Sequence, residues 1–424
     1  MGGGLPLASM SFRGYAPADL SASPSAGDTP ATPPVSLFIK ILQYYKIKNQ
    51  AAGCMPDIGE NMKKLFNLAA AGLIFALVLG GCSKNQNKRE VRKPSAQIDS
   101  TAWIDNLIDG KAAAAKENKK IFLFFSGDDQ DKSSAELKEA IFNTSDFMDE
   151  LLKSYVLVNL DFSASLFDKA AAEPDASEEE KAAAAELWVK LEENMRDAGI
   201  YNIQETPAFF LATKEGYVIT QVVFEKKPES AAQVLEEISA LEETVAEYEN
   251  TLTSCRTGKT EDRLTAINKL FDMTEPQLRY LLTDLSSDYI KLDKKNRTGM
   301  CGAHVVAMAN ANAVQFYLDQ DPASASEEFA KAASSKYLTP DQKQQCYYTA
   351  GYLFAQSGTD DYPKIKDYFE KAYEADPSSP YAETIQSMMR MMEERYLDAP
   401  APEAETAPEA PAENPEAPAQ AEAN

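Results

Sequence analysis

Five consecutive apolar residues, Ile121-Phe122-Leu123-Phe124-Phe125, constrain this chain more than any other feature. The run is too short for a buried helix and has no polar position, so it reads as a strand covered on both faces. An amphipathic segment precedes it, opened by Ala102-Trp103 and Leu107 and running to Lys120. Ser126-Gly127-Asp128-Asp129 makes a turn after it, and a helix is expected over 133–142. Residues 155–161 read as a second strand, and 208–212 with 217–219 as a hairpin around Lys214-Glu215-Gly216. Strands alternating with helices predict an α/β sheet.

At 424 residues the chain should hold more than one domain. Its net charge is −24, and six Lys/Arg but only four Asp/Glu precede Cys82, so the part beyond that cysteine is more acidic still. Such a body repels nucleic acid and anionic headgroups, and no nucleic-acid partner is expected. Five scattered cysteines without a CxxC do not make a disulfide scaffold. Cys255 and Cys301 fit either a pair or two free thiols, since spacing does not decide between them, and Cys346 reads as a small buried apolar residue. The single histidine, His304, excludes His-based metal sites and relays of several histidines, and it reads as a surface or helix-start residue. Asp/Glu sites for calcium or magnesium stay open, but no segment follows the EF-hand spacing, and no metal and no cofactor are expected.

Residues 62–82 read MKKLFNLAAAGLIFALVLGGC. Two lysines followed by a short apolar run match a secretory signal and fall short of a membrane span. Leu79-Gly80-Gly81-Cys82 resembles the lipobox of bacterial lipoproteins. The resemblance implies a diacylglyceryl group on Cys82, the bilayer as a partner and the removal of residues 62–81. Ser83, in place of aspartate, implies sorting to the outer membrane, facing the periplasm. A plain signal anchor with an incidental cysteine is the alternative. Residues 1–61 have no place in such an exported chain, so translation is expected to begin at Met62; a genuine extension is the other reading. Residues 82–97 are polar and read as a tether.

Within 98–249 the tryptophan-led segment and the strand ending in Phe125-Ser126-Gly127 before Asp129 resemble the secreted thioredoxin-like family. Leu137 and Phe142 fit its next helix, Thr206-Pro207 its cis-proline element, and Lys214-Glu215-Gly216 its hairpin turn. Residues 163–198 read as a helical insertion. The family continues with Trp-Cys-x-x-Cys, where this chain has Gln130-Asp131-Lys132-Ser133-Ser134. The strand position where such enzymes keep a buried aspartate holds Phe124. Thiol–disulfide exchange needs a thiolate and a resolving thiol, so no catalytic residue is expected. Ser133 stands three residues before Glu136, the spacing of a capping box. The resemblance still implies a groove bordered by Asp131, Lys132, Ser133, Ser134, Thr206 and Pro207. A working groove and one that has lost its ligand both fit.

Residues 250–397 carry helical periodicity. Gln345 to Pro377 resembles a tetratricopeptide repeat: Tyr347, Ala350, Gly351 and Phe354 fit its first helix, and Ile365, Phe369, Ala372 and Pro377 its second. A weaker copy comprises Ala309, Ala313 and Phe316, then Ala325, Phe329 and Ala332. Repeats of this kind offer a surface to peptides or proteins. Tyr348 and Tyr352 are the candidate binding residues, with packing as the alternative. Residues 398–424 are almost all Pro, Ala and Glu and cannot bury a core.

The expected architecture is an α/β thioredoxin-like domain followed by an all-α helical-repeat domain. The expected function is a non-enzymatic, membrane-anchored protein that binds an unknown protein or peptide. The alternatives are a thiol–disulfide oxidoreductase using Cys255, Cys301 or Cys346, and a chaperone of the bacterial envelope.

Overall fold

The computed structural model describes residues 92–127, 133–173, 175–359 and 361–398. Cys82, Asp131, Lys132 and the Pro/Ala/Glu stretch lie outside the described residues.

A four-stranded mixed sheet has the order β2-β1-β3-β4. The strands are β1 (Lys120–Gly127), β2 (Tyr155–Phe162), β3 (Ala208–Ala212) and β4 (Val218–Gln221). β1 runs parallel to β2 and antiparallel to β3, and β3 pairs antiparallel with β4. The β1 run from Ile121 to Phe125 is wholly buried, because alternate residues enter two different cores. Phe122 and Phe124 join one core; Ile121, Leu123 and Phe125 join the other.

The first helix, α1 (Leu107–Glu117), begins later than the sequence suggests. Asn106 caps it by accepting from the Asp109 amide at 2.8 Å. Just upstream, the Ile104 amide donates to Leu157 and the Ile104 carbonyl accepts from Asn159, which holds the backbone extended along β2. Trp103 therefore leads an extended stretch and not a helix, and it packs among Phe122, Phe124, Phe142 and Phe147.

The expected helix over 133–142 is an α-helix, α2 (Ser133–Leu137), that widens into a π-turn at Lys138–Phe142. α3 (Ser145–Leu151) leads into β2. The insertion forms α4 (Ala164–Ala170) and α5 (Glu178–Ile200), the latter opened by a capping box at Ser177 and Glu180. After the hairpin, two helices follow with a break at Leu241, α6 (Ala231–Ala240) and α7 (Glu242–Arg256). The expected domain border at 249/250 falls inside α7.

The helical region continues with α8 (Thr260–Met273), a 3-10 turn (Pro276–Leu282) and α9 (Thr283–Leu292). Next come α10 (Cys301–Leu318), α11 (Pro322–Ala333), α12 (Pro340–Gln356), α13 (Tyr362–Ala375) and α14 (Ala382–Asp398). Buried side chains stitch neighbouring helices together. Ser326 Oγ donates to the Ala350 carbonyl at 2.7 Å, and Gln344 Nε2 donates to the Ala372 carbonyl at 3.1 Å. Ala309, Ala313, Ala325, Phe329, Ala350, Phe354, Ile365, Phe369 and Ala372 all lie in one core, as the repeat pattern requires. Phe316 departs from that pattern and is exposed.

The sheet and the helices share a core. The Phe122 face continues through α7, α8 and α9 to Cys301 and Ala307 on α10. The C-terminal half of α10, with Ala309 and Ala313, belongs to the outer helical core. Polar contacts reinforce the junction: Arg196 on α5 binds Asp319 and Gln315, Arg256 pairs with Glu215 at 2.8 Å, and Tyr217 donates to Asp284. Among the described residues no helix is long and apolar enough to cross a membrane.

Candidate functional site

The described residues expected to border a groove gather at the C-terminal end of β1. Ser134 is 2 % exposed, and its Oγ accepts from the Gly127 amide at 3.3 Å, tying the end of the strand to the start of α2. A Cβ on Gly127 would lie 2.7 Å from Thr206 Oγ1, so the strand end and the residue before proline meet only because position 127 has no side chain. The Thr206–Pro207 peptide is cis. Beneath them Asn159 Nδ2 donates to Ser126 Oγ at 2.9 Å, and both side chains are buried. Phe124 is buried and stacks on Phe209 at 4.8 Å, so the strand offers an aromatic ring where proton transfer would need an ionisable group. Lys227 pairs with Glu136 on α2.

The structure thus brings Ser134, Thr206 and Pro207 to one end of the sheet around Gly127. Ser133 opens α2 beside them, while Asp131 and Lys132 lie outside the described residues.

Cys255, Cys301 and Cys346 are free and buried in the helical region. Burial pushes the first two thiols up to about 11 and the third up to about 12. Cys301 Sγ also donates to the Asp293 carbonyl at 3.3 Å. Cys255 and Cys301 form no disulfide, and Cys346 is the buried apolar residue its position suggests.

His304 is fully buried near the start of α10, which corrects the surface reading. It stacks on Tyr289 at 4.1 Å and contacts Phe271 at 4.6 Å. Its Nδ1 lies 3.1 Å from Ser286 Oγ and its Nε2 lies 3.2 Å from Asn268 Oδ1. Asn268 Nδ2 donates to the Tyr289 hydroxyl at 2.8 Å, so Oδ1 must accept from His304, which places the proton on Nε2. Nδ1 then accepts from Ser286. Tyr289 in turn donates to Thr298 at 2.8 Å, and Thr298 to the Asp293 carboxylate at 2.7 Å. Burial, and then the nearby Arg279 guanidinium, lower the His304 imidazole to about 4. Burial opposes ionisation of Asp293, but hydrogen bonds from Thr298 and Arg297 hold its carboxyl below the usual range.

Ser286, His304 and Asn268 stand in the order of nucleophile, base and orienting group. Ser286 and His304 are both 0 % exposed, so no substrate reaches them. The group fastens α8, α9 and α10 together.

The second candidate surface lies on α10 and α12. Tyr352 is 38 % exposed. Tyr348 is half-buried against Phe369 at 5.6 Å, so it is part wall and part surface. Tyr317 on α10 completes the group: burial first, and then Tyr352, raise the hydroxyls of both Tyr317 and Tyr348. The sequence reading missed Tyr317 by assigning Phe316 to the pattern. The signal was present, because Tyr317 and Tyr352 are one repeat length apart, close to the period of about 34 residues of such arrays.

Two family models match this chain. The family model described as a thioredoxin-like domain matches residues 109–239. A second, described as an uncharacterised protein C-terminal domain, matches residues 300–396 and so begins where α10 begins. One solved structure, titled "DsbH Oxidoreductase", is 19 % identical, with 38 % of this chain and 95 % of that chain covered and a TM-score of 0.23. No curated protein matches. The chain carries a thioredoxin-like α/β domain built on a mixed four-stranded sheet, followed by a C-terminal region of many helices.

Proposed function

We propose that this chain is a non-enzymatic interaction protein, tethered to the outer membrane by acylated Cys82 with its folded part in the periplasm. The thioredoxin-like domain serves as a scaffold. The helical region, read as tetratricopeptide-like, holds a protein or peptide partner.

The observation that carries this reading is the tyrosine group on α10 and α12, with Tyr352 open to solvent. Large rings with polar tips are the side chains on which interfaces most often anchor. The second reading, a thiol–disulfide oxidoreductase or chaperone of the envelope, draws on the thioredoxin-like match itself. Against thiol exchange stand the serines at the motif positions and the burial of the described thiols. A thiol raised to about 11 is ionised in only about one molecule in ten thousand at neutral pH.

Crosslinked pull-down of the full chain from membranes tests the proposal. The unaltered chain should recover a partner, and a Tyr348→Ala, Tyr352→Ala double variant should recover about ten-fold less with its helical circular-dichroism signal retained. Cys82→Ala should leave the membrane fraction and lose its acyl group by mass spectrometry. Undiminished capture by the folded double variant would reject the tyrosine surface and direct attention to the groove at Thr206 and Pro207. Loss of the helical signal would mark the tyrosines as core.

A further inference from the structure

α10 carries no Asp, Glu, Lys or Arg from Cys301 to Leu318, and α12 carries none from Gln344 to Gln356. In a chain whose residues are 25 % charged, a charge-free helix beside a charge-free stretch of 13 residues in α12 needs a reason. Loss of charge together with aromatic enrichment marks the centre of an interface. Tyr317 and Tyr348 are half-buried against the same outer helical core, and Tyr352, one turn on from Tyr348, is more exposed, so the surface they share offers phenol rings and hydroxyls.

The chain itself holds a segment of matching chemistry. α14 ends at Asp398, and residues 399–424 follow it. Within them stand Pro400, Pro402, Pro408, Pro411, Pro415 and Pro418, the last four as two Pro-x-x-Pro units. Three residues make one turn of a polyproline helix, so each such pair falls on one edge. Segments of this kind dock on aromatic-lined grooves because the helix is already ordered before binding. The 26 residues could span about 80 Å when extended, several times the spacing of about 10 Å between packed helices. The stretch beyond α14 can therefore cross α13 and reach α12.

We propose that residues 408–418 dock in cis on the Tyr317–Tyr348–Tyr352 surface, prolines against the rings and glutamates toward solvent. The six glutamates of residues 399–424, themselves part of the whole chain's net charge of −24, meet a body that is still net negative without them, so long-range charge opposes the contact and the prolines must supply it. Added salt should consequently tighten docking, by screening that repulsion. This inference goes beyond partner binding: an outside partner would have to displace the chain's own segment.

A tether of this length gives an effective concentration in the millimolar range, so a segment with an intrinsic Kd of about 0.1 mM keeps the surface about ten-to-one occupied. The test uses the purified full chain. Nitration of Tyr352 by tetranitromethane, followed by peptide mass spectrometry, should be about ten-fold faster when Pro408, Pro411, Pro415 and Pro418 are replaced by serine. With Tyr352→benzoylphenylalanine, irradiation of mixed light and heavy-isotope chains should link position 352 to residues 399–424 of the same chain. Light-to-heavy links would mean that a second copy occupies the surface and would overturn the proposal. Equal nitration rates with no link to residues 399–424 would also overturn it, while leaving capture of an outside partner to be judged by the pull-down.

Discussion

Replacing Phe209 with alanine should cost about 3–5 kcal/mol of folding stability and should destabilise the sheet and the helices together. Phe209 is buried, stacks on Phe124 at 4.8 Å and meets Phe142 and Phe224 edge-on, each at 5.4 Å. The aromatic cluster sits in the core that runs on through α7, α8 and α9 to α10. Urea denaturation followed by tryptophan fluorescence, with Trp103 inside that cluster, and by far-ultraviolet circular dichroism checks the prediction. The two signals should stay coincident and their common midpoint should fall. A helical signal that kept its original midpoint would separate the two halves and contradict the shared core.

The second large effect is acid sensitivity set by His304. An unfolded imidazole titrates near 6.5, whereas burial and Arg279 lower it to about 4 in the fold. Above 6.5 both states are neutral at this position and stability is unaffected. As pH falls from 6.5 toward 4 the unfolded chain takes up a proton that the folded chain refuses, so stability declines; below 4 both states are charged and the decline stops. The whole loss is about 3 kcal/mol. Asp109 and Asp293, held below the usual carboxylate range in the fold, add their own loss only as pH drops through the ordinary carboxylate value of about 3.8. The interval between 4 and 6.5 therefore separates the histidine from these two. Glu215, also held below its ordinary value of 4.5 in the fold, adds a loss at the low end of that interval, so denaturant midpoints above about pH 5 should slope for the unaltered chain and run nearly flat for His304→Gln. An equal slope in both chains would remove His304 as the cause.

Much of the sheet was legible because its signals are local. A continuous apolar run, a hairpin turn and Thr206-Pro207 each carry their reason in a few residues. The small residues of the helical repeats, Ala350 and Gly351 among them, were legible through their spacing. What could not be read depends on contacts across long sequence distances. Trp103 looked like a helix start, but β2, more than 50 residues on, takes up the neighbouring Ile104 backbone. His304 looked exposed because its partners Asn268, Ser286 and Tyr289 sit on two other helices. A boundary placed at 249/250 from the sequence could not anticipate that α7 runs through it, since the core beneath α7 is shared. At the groove, Ser134 and Thr206 were found from motif positions, but the closeness of Gly127 to Thr206 is a matter of packing.

The central claim is that this thioredoxin-like scaffold carries no thiol chemistry, and insulin reduction driven by dithiothreitol tests it most directly. The purified chain should raise the rate no further than a chain with Cys255, Cys301 and Cys346 all replaced by serine. Turnover well above background that disappears with any one of those replacements would contradict the claim and make the chain an oxidoreductase.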